Sequence, residues 1–152
     1  MSFSTEPGTR GARQPSGPLL RVANRLTTGR LRRRGGRLMG MDVLVLHTVG
    51  ARSGQPRATP VAWFPGPDGS RYVVASAAGA PGHPAWYLNI AAHPGEVAIE
   101  ADGRTVPVAP TVLTGAERDD AWRAVVAAAP RFAGYQEKTD RVLPVLRLTP
   151  RD

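Results

Sequence analysis

Seventeen glycines and fifteen prolines are spread through a chain of 152 residues, and that punctuation limits the possible folds more than any other feature. Proline removes a backbone donor and glycine loses the most backbone freedom on folding, so neither suits the interior of a long helix. The elements between them must be short and joined by many turns, which points to a small barrel rather than a helical bundle. The length fits one domain, since independent domains run to about 100–150 residues. No cysteine is present, which excludes disulfide scaffolds, thiolate catalysis and cysteine-rich zinc sites. No apolar run approaches the about 18 residues of a membrane-spanning helix. None opens the chain as a signal peptide would, and a cytoplasmic protein is expected.

The formal charge is +8, a total that invites a nucleic-acid or membrane partner. Its distribution narrows that reading. Residues 1–37 carry nine arginines against the single acid Glu6, while the rest of the chain, with 11 charges of each sign, is formally neutral. Residues 1–17, rich in Ser, Thr, Gly, Pro and Arg, are expected to form a disordered leader. Residues 18–37 follow as an amphipathic helix and basic linker, with Leu19, Val22, Ala23 and Leu26 on one face. That helix either rests on an anionic membrane surface, at the inner face of the membrane, or packs on the barrel. Specific nucleic-acid binding is disfavoured, because Phe3 is the only aromatic of the leader and stacking platforms are missing.

Residues 38–150 are expected to form the folded domain. Strands are expected over residues 43–49, 58–64, 71–76, 96–101, 104–113 and 142–148. Asp102-Gly103 is the best short hairpin signal, and the run from Pro65 to Gly69 a strong turn. Pro84 suits the first turn of a short helix ending near Ala92, and Thr114 with Glu117 forms a capping box for a helix to about Ala129. The fold class is therefore α+β, mainly β: a six-stranded barrel with two or three peripheral helices.

No catalytic constellation stands out. The three histidines lack metal-ligand spacing, no Ser lies in G-x-S-x-G, and the turn at residues 50–54 lacks a Walker ending. An enzyme of this kind would leave the hard chemistry to a bound cofactor. Three segments are informative, each with an ordinary alternative. In the turn at residues 50–57, Gly50 and Gly54 permit tight backbone, while Arg52, Ser53 and Arg57 suit a phosphate; the alternative is a solvated hairpin. In residues 76–89 a small-residue loop lets a planar ring approach before Trp86 and Tyr87 open a helix; otherwise both aromatics are core and Asn89 satisfies a loop. In residues 128–141 Phe132 and Tyr135 share a helical face and would roof a pocket, with Asp140 and Arg141 as a local ion pair of little consequence.

Taken together, T-V-G-A-R-S-G-Q-P-R-A-T-P-V (residues 48–61), S-x-x-G-x-x-x-H-P-x-W-Y-x-N (76–89) and Y-Q-x-K-T-D-R-x-L-P-V (135–145) resemble the deazaflavin-dependent nitroreductases, also called F420H2-dependent quinone reductases. The resemblance implies a flavin-reductase-like split β-barrel that binds coenzyme F420, with FMN as the rival cofactor. It implies that Arg52, Ser53, Gly54 and Arg57 hold the phosphate and acidic tail. Thr59, Pro60 and Val61 would line the deazaflavin ring, and Ala75, Ser76, Ala77 and Trp86 would close round it. A conjugated acceptor (a quinone, enone or nitroaromatic) would stack near Ala62, Phe132 and Tyr135. Tyr135 or Ser76 would supply the proton or its hydrogen bond. No metal is implied, and the protein would be a monomer or homodimer. Ala51 and Ala77 depart from the basic residues common at those positions in the family.

Overall fold

A computed structural model describes residues 3–11, 37–38 and 40–151. The amphipathic helix expected from residue 18, and with it the expected membrane contact, lies outside the described residues. Eight strands are present among them: β1 (Arg37–Leu38), β2 (Met41–Val49), β3 (Pro56–Ala62), β4 (Phe64–Pro65), β5 (Arg71–Val74), β6 (Ala98–Ala101), β7 (Arg104–Val112) and β8 (Val145–Pro150). Three helices accompany them: α1 (Ala85–Ala92), α2 (Gly115–Ala128) and α3 (Arg131–Lys138).

The sheet is antiparallel throughout, in the order β1-β2-β6-β7-β8-β5-β4, with β3 paired to β2. It curls into a half-barrel. The expected count of six strands is corrected: all six long strands form, and β1 and β4 join them. Each added strand is two residues long, too short to show the period-two alternation by which a strand is read from sequence.

Alternation along the strands sorts side chains into two cores. In β8, Leu146 and Leu148 turn into the cluster built on Leu44, Leu46, Trp86, Tyr87 and Ile90, whereas Val145 joins Phe64, Leu113, Val125 and Phe132 beneath α2 and α3. Val73 and Val74 of β5 divide in the same way. One face of this part of the sheet thus packs into the core that takes in α1, and the other carries two helices.

Local chemistry explains the connections. Asp102 and Gly103 both take positive φ, 52° and 73°, and join β6 to β7 with Ala101 opposite Arg104. That is the left-handed pair a two-residue hairpin requires. The capping box does not form. Thr114 is the N-cap of α2 but makes no side-chain cap, and Glu117 instead accepts a 2.9 Å bond from Arg147 of β8. A cross-sheet cation has taken the carboxylate that a local rule assigned to the helix terminus.

Candidate active site

The turn between β2 and β3 is closed by its own backbone, Gly50 N–H to Gln55 O at 2.8 Å and Gly54 N–H to Gly50 O at 3.0 Å. Gly54, at φ 67°, supplies the left-handed residue that turn needs. Ser53 Oγ accepts from Gln55 N–H at 3.2 Å and from Arg57 Nη2 at 3.3 Å. Both contacts use the oxygen as acceptor, so the hydroxyl hydrogen is left to donate outward. Arg52, Ser53 and Gly54 are exposed and Arg57 is half-buried. Two guanidinium groups and a hydroxyl donor on one tight turn suit a phosphate.

Asn89 of α1 fastens that turn. It is buried, accepts from Ala51 N–H at 2.9 Å through Oδ1, and donates through Nδ2 to the buried Thr48 hydroxyl at 3.1 Å. One helical turn earlier on α1, Trp86 packs in the same core cluster as Val61 and Ala75. The fold therefore brings together three of the residues expected at the ring and links them, through α1, to those expected at the phosphate. Thr59, Pro60 and Ala62 are half-buried along β3. Among the described residues no strand is hydrogen-bonded to the second edge of β3.

The segment after β5 is strained. Ala77, Ala78 and Gly79 take φ of 46°, 54° and 82° in succession. For an alanine that conformation costs about 1–2 kcal/mol, and such strain persists only where the surroundings over-determine it. Gly79 is required for a second reason. A Cβ there would stand 2.6 Å from the backbone oxygen of Tyr135 and 3.3 Å from its Cα. The turn is thus pressed onto α3 at Tyr135, which puts Ser76 and Tyr135 on adjoining segments. Tyr135 is half-buried, and Phe132 is buried edge-on to both Tyr135 (5.2 Å) and Phe64 (5.6 Å).

Arg141 holds this loop from within. Only 5% exposed, it donates from Nη1 to Ala75 O (2.9 Å), from Nη2 to Ser76 O (2.8 Å) and from Nε to Ala80 O (3.2 Å). Nη1 also lies 2.9 Å from His83 Nδ1. A guanidinium only donates, so Nδ1 accepts, and the imidazole proton sits on Nε2 facing Glu6 O at 3.0 Å. Burial, and then the charge of Arg141, hold His83 below its ordinary value. The expected Asp140–Arg141 ion pair is replaced by two separate roles. Asp140 takes the backbone N–H of Thr9 at 2.7 Å and the Thr9 hydroxyl, which with the N–H of Arg10 keep its carboxyl below the usual range.

Residues 3–11, part of the leader expected to be disordered, lie across this region. Gly8 N–H donates to Pro81 O at 2.6 Å, Arg10 Nη1 to Glu137 O at 3.4 Å, and Phe3 meets the Tyr87 ring edge-on at 6.0 Å. Arg141, Asn89 and His83 carry the loop architecture; Asn89 satisfies a loop as its alternative reading expected, while Arg141 and His83 had no local signal for that role, because their partners are remote in sequence.

A family model for the F420H(2)-dependent quinone reductases matches residues 20–150. The chain belongs to that family. It is an oxidoreductase, an F420H2-dependent reductase. An F420H(2)-dependent quinone reductase of Mycobacterium tuberculosis is 36% identical over 138 residues, 88% of this chain and 91% of the relative. A solved structure described as an F420-H2 dependent reductase (FDR-A) is 36% identical with a TM-score of 0.62, covering 70% of this reductase and 92% of that chain. A second, described as a domain-swapped dimer, is 33% identical with a TM-score of 0.65 over 87% of this chain and 99% of its own. A haem-binding protein of Mycobacterium smegmatis, 18% identical with a TM-score of 0.51 over 90% of this chain and 52% of its own, shares the fold alone. Among the described residues no helix is long and apolar enough to cross a membrane, and no group of metal-ligating side chains is present.

Proposed function

We propose that this reductase holds reduced F420 along the edge of β3 away from β2 and passes a hydride to a conjugated acceptor such as a quinone, an enone or a nitroaromatic. The observation that carries the reading is α1, on which Trp86 and Asn89, one turn apart, tie the ring side of the site to the phosphate side. The donor set fits the cofactor. Arg52, Arg57 and the free hydrogen of Ser53 match a phosphate, and Gly54 keeps the turn tight. The edge of β3 away from β2, to which no described strand is bonded, offers Thr59, Pro60 and Val61 to a planar, polar-edged ring, with Ala75, Ser76, Ala77 and Trp86 around it. The half-barrel is then one side of a split β-barrel. Family membership favours F420 over FMN as the cofactor.

When bound, reduced F420 supplies two electrons as a hydride. The chain's own work is to orient the ring and hold a proton for the acceptor, since hydride transfer to a quinone oxygen or carbon must be completed by one proton. The hydroxyls of Tyr135 and Ser76, on adjoining segments, are the groups for that proton or its hydrogen bond. Ala62, Phe132 and Tyr135 bound the acceptor side. A homodimer is the assembly to test by light scattering, given the dimeric relative. Titration of the purified protein with F420 tests the reading. A change in cofactor absorbance or fluorescence at micromolar levels supports it, and no change overturns it.

A further inference from the structure

We propose that Arg141 is a positioning residue for the cofactor site: by gripping the carbonyls of Ala75, Ser76 and Ala80 it keeps the left-handed turn at Ala77 and Ala78 in the form that presents Ser76 and Ala77 to the ring. The inference rests on the reading of this site as the F420 site. Its physical basis is independent of that reading. The guanidinium takes carbonyls on both sides of the turn, two before Ala77 and one after Ala78. It works as a clasp across the base of the loop. A fixed fan of five N–H groups reaches three carbonyls and an imidazole nitrogen at once, which an ammonium on a flexible stem does not.

Two further observations separate a clasp from a space-filling core residue. First, all four partners of this buried cation are neutral acceptors. Burying a charge against dipoles alone is a costly way to fill volume, since an apolar side chain of similar size avoids the desolvation. Second, the turn it spans is built from two alanines at positive φ, a conformation that glycine takes freely and alanine does not. The loop keeps this shape because something imposes it. Gly79, seated against the Tyr135 backbone, fixes one side. Arg141 fixes the other.

The test uses the full chain and F420 itself. Arg141→Lys, checked for folding by circular dichroism, is expected to weaken F420 binding at least tenfold and to raise the KM for F420H2 more than it lowers kcat. Its amides at residues 76–80 are expected to exchange faster in the cofactor-free protein. Ala78→Gly placed in the Arg141→Lys background, with the Ala78→Gly single variant calibrating the cycle, is expected to recover at least threefold of the lost affinity. A merely structural arginine gives no such rescue, because relief at residue 78 does not mend a core. Ala78→Val covers the case in which Arg141→Lys does not fold. Residue 78 is exposed, so valine meets no packed neighbour there, but a β-branched side chain opposes positive φ; the protein is expected to stay folded with a melting temperature lower by a few degrees, and F420 affinity is expected to fall at least tenfold. Binding within twofold of wild type in folded Arg141→Lys or in Ala78→Val overturns the proposal, as does an absent rescue. Wild-type protein that fails to bind F420 overturns the functional reading and the positioning role with it. Normal wild-type binding with unchanged amide exchange at residues 76–80 in Arg141→Lys overturns the clasp alone.

Discussion

The carboxamide oxygen of Asn89 accepts the backbone N–H of Ala51 at 2.9 Å, across 38 residues of sequence. This bond makes the arginine-bearing turn and helix α1 a single mechanical piece. Asn89→Ala would leave the buried Thr48 hydroxyl, and the part-buried Ala51 N–H, without this partner. An unsatisfied buried polar group costs about 1–3 kcal/mol, so the variant should melt several degrees below wild type. It should also bind F420 at least tenfold more weakly. Scanning calorimetry and fluorescence titration measure the two effects separately.

Arg57 is held in place by Ser53 Oγ at 3.3 Å, ready to meet an anion without reorganising. A charge-assisted hydrogen bond to a charged group is worth about 1.5–3 kcal/mol, or roughly tenfold to a hundredfold in affinity. Arg57→Ala should raise the KM for F420H2 by that factor and leave kcat nearly unchanged if, as proposed, Arg57 holds a phosphate away from the reacting atoms. The penalty should shrink at high salt as the wild-type attraction is screened. Steady-state kinetics at two ionic strengths check both statements.

Under the proposed function Tyr135 and Ser76 are alternatives for one role, and their variants divide it. If the phenol carries the proton, Tyr135→Phe lowers kcat by about 10²-fold or more and leaves F420 affinity unchanged, while Ser76→Ala has the smaller effect. Reversed magnitudes assign the role to the serine. Single-turnover oxidation of bound F420H2 by a quinone gives the comparison directly.

His83 supplies a pH dependence of stability. Its folded-state value lies below the ordinary 6.5 because burial and the Arg141 charge oppose the imidazolium. Above that ordinary value the ring is neutral in both states, and its contribution is fully present. As pH falls below it the unfolded chain takes up the proton first, so stability is lost progressively toward the folded value. The melting temperature of wild type should therefore drop between pH 7 and pH 5 more steeply than that of His83→Gln. Parallel melts across that range provide the check.

Asp140 anchors the leader through Thr9 and Arg10. Asp140→Asn weakens those acceptors and should expose the backbone after Arg10, so trypsin should cut there several-fold faster than in wild type. Mass spectrometry of the released peptide reports the rate.

Much of the fold was legible because it follows from local chemistry. Asp102-Gly103 announces a two-residue hairpin wherever it stands, and the apolar run through Val43, Leu44, Val45 and Leu46 announces a buried strand. The glycine-bearing turn between β2 and β3 is legible for the same reason, since the residues that close it lie within one short stretch. Two strands of two residues escaped, having no length over which alternation can be seen. The capping box was misread because Glu117 found Arg147, a competitor that no local rule contains.

The sequence by itself determined where the six longer strands lie, where the chain turns between them, and that its net positive charge lies ahead of a neutral sheet domain. Only the tertiary structure decided what Arg141, Asn89 and His83 do. Arg141 reaches Ala75 across 66 positions and His83 across 58. The difference is physical. Backbone preference and hydrophobic alternation act between near neighbours, whereas a buried polar side chain is defined by the acceptors that folding brings around it. Glycine and proline punctuation dictates short strands in a curled sheet, and the packing of distant segments on that sheet turns one arginine into the clasp of a strained loop.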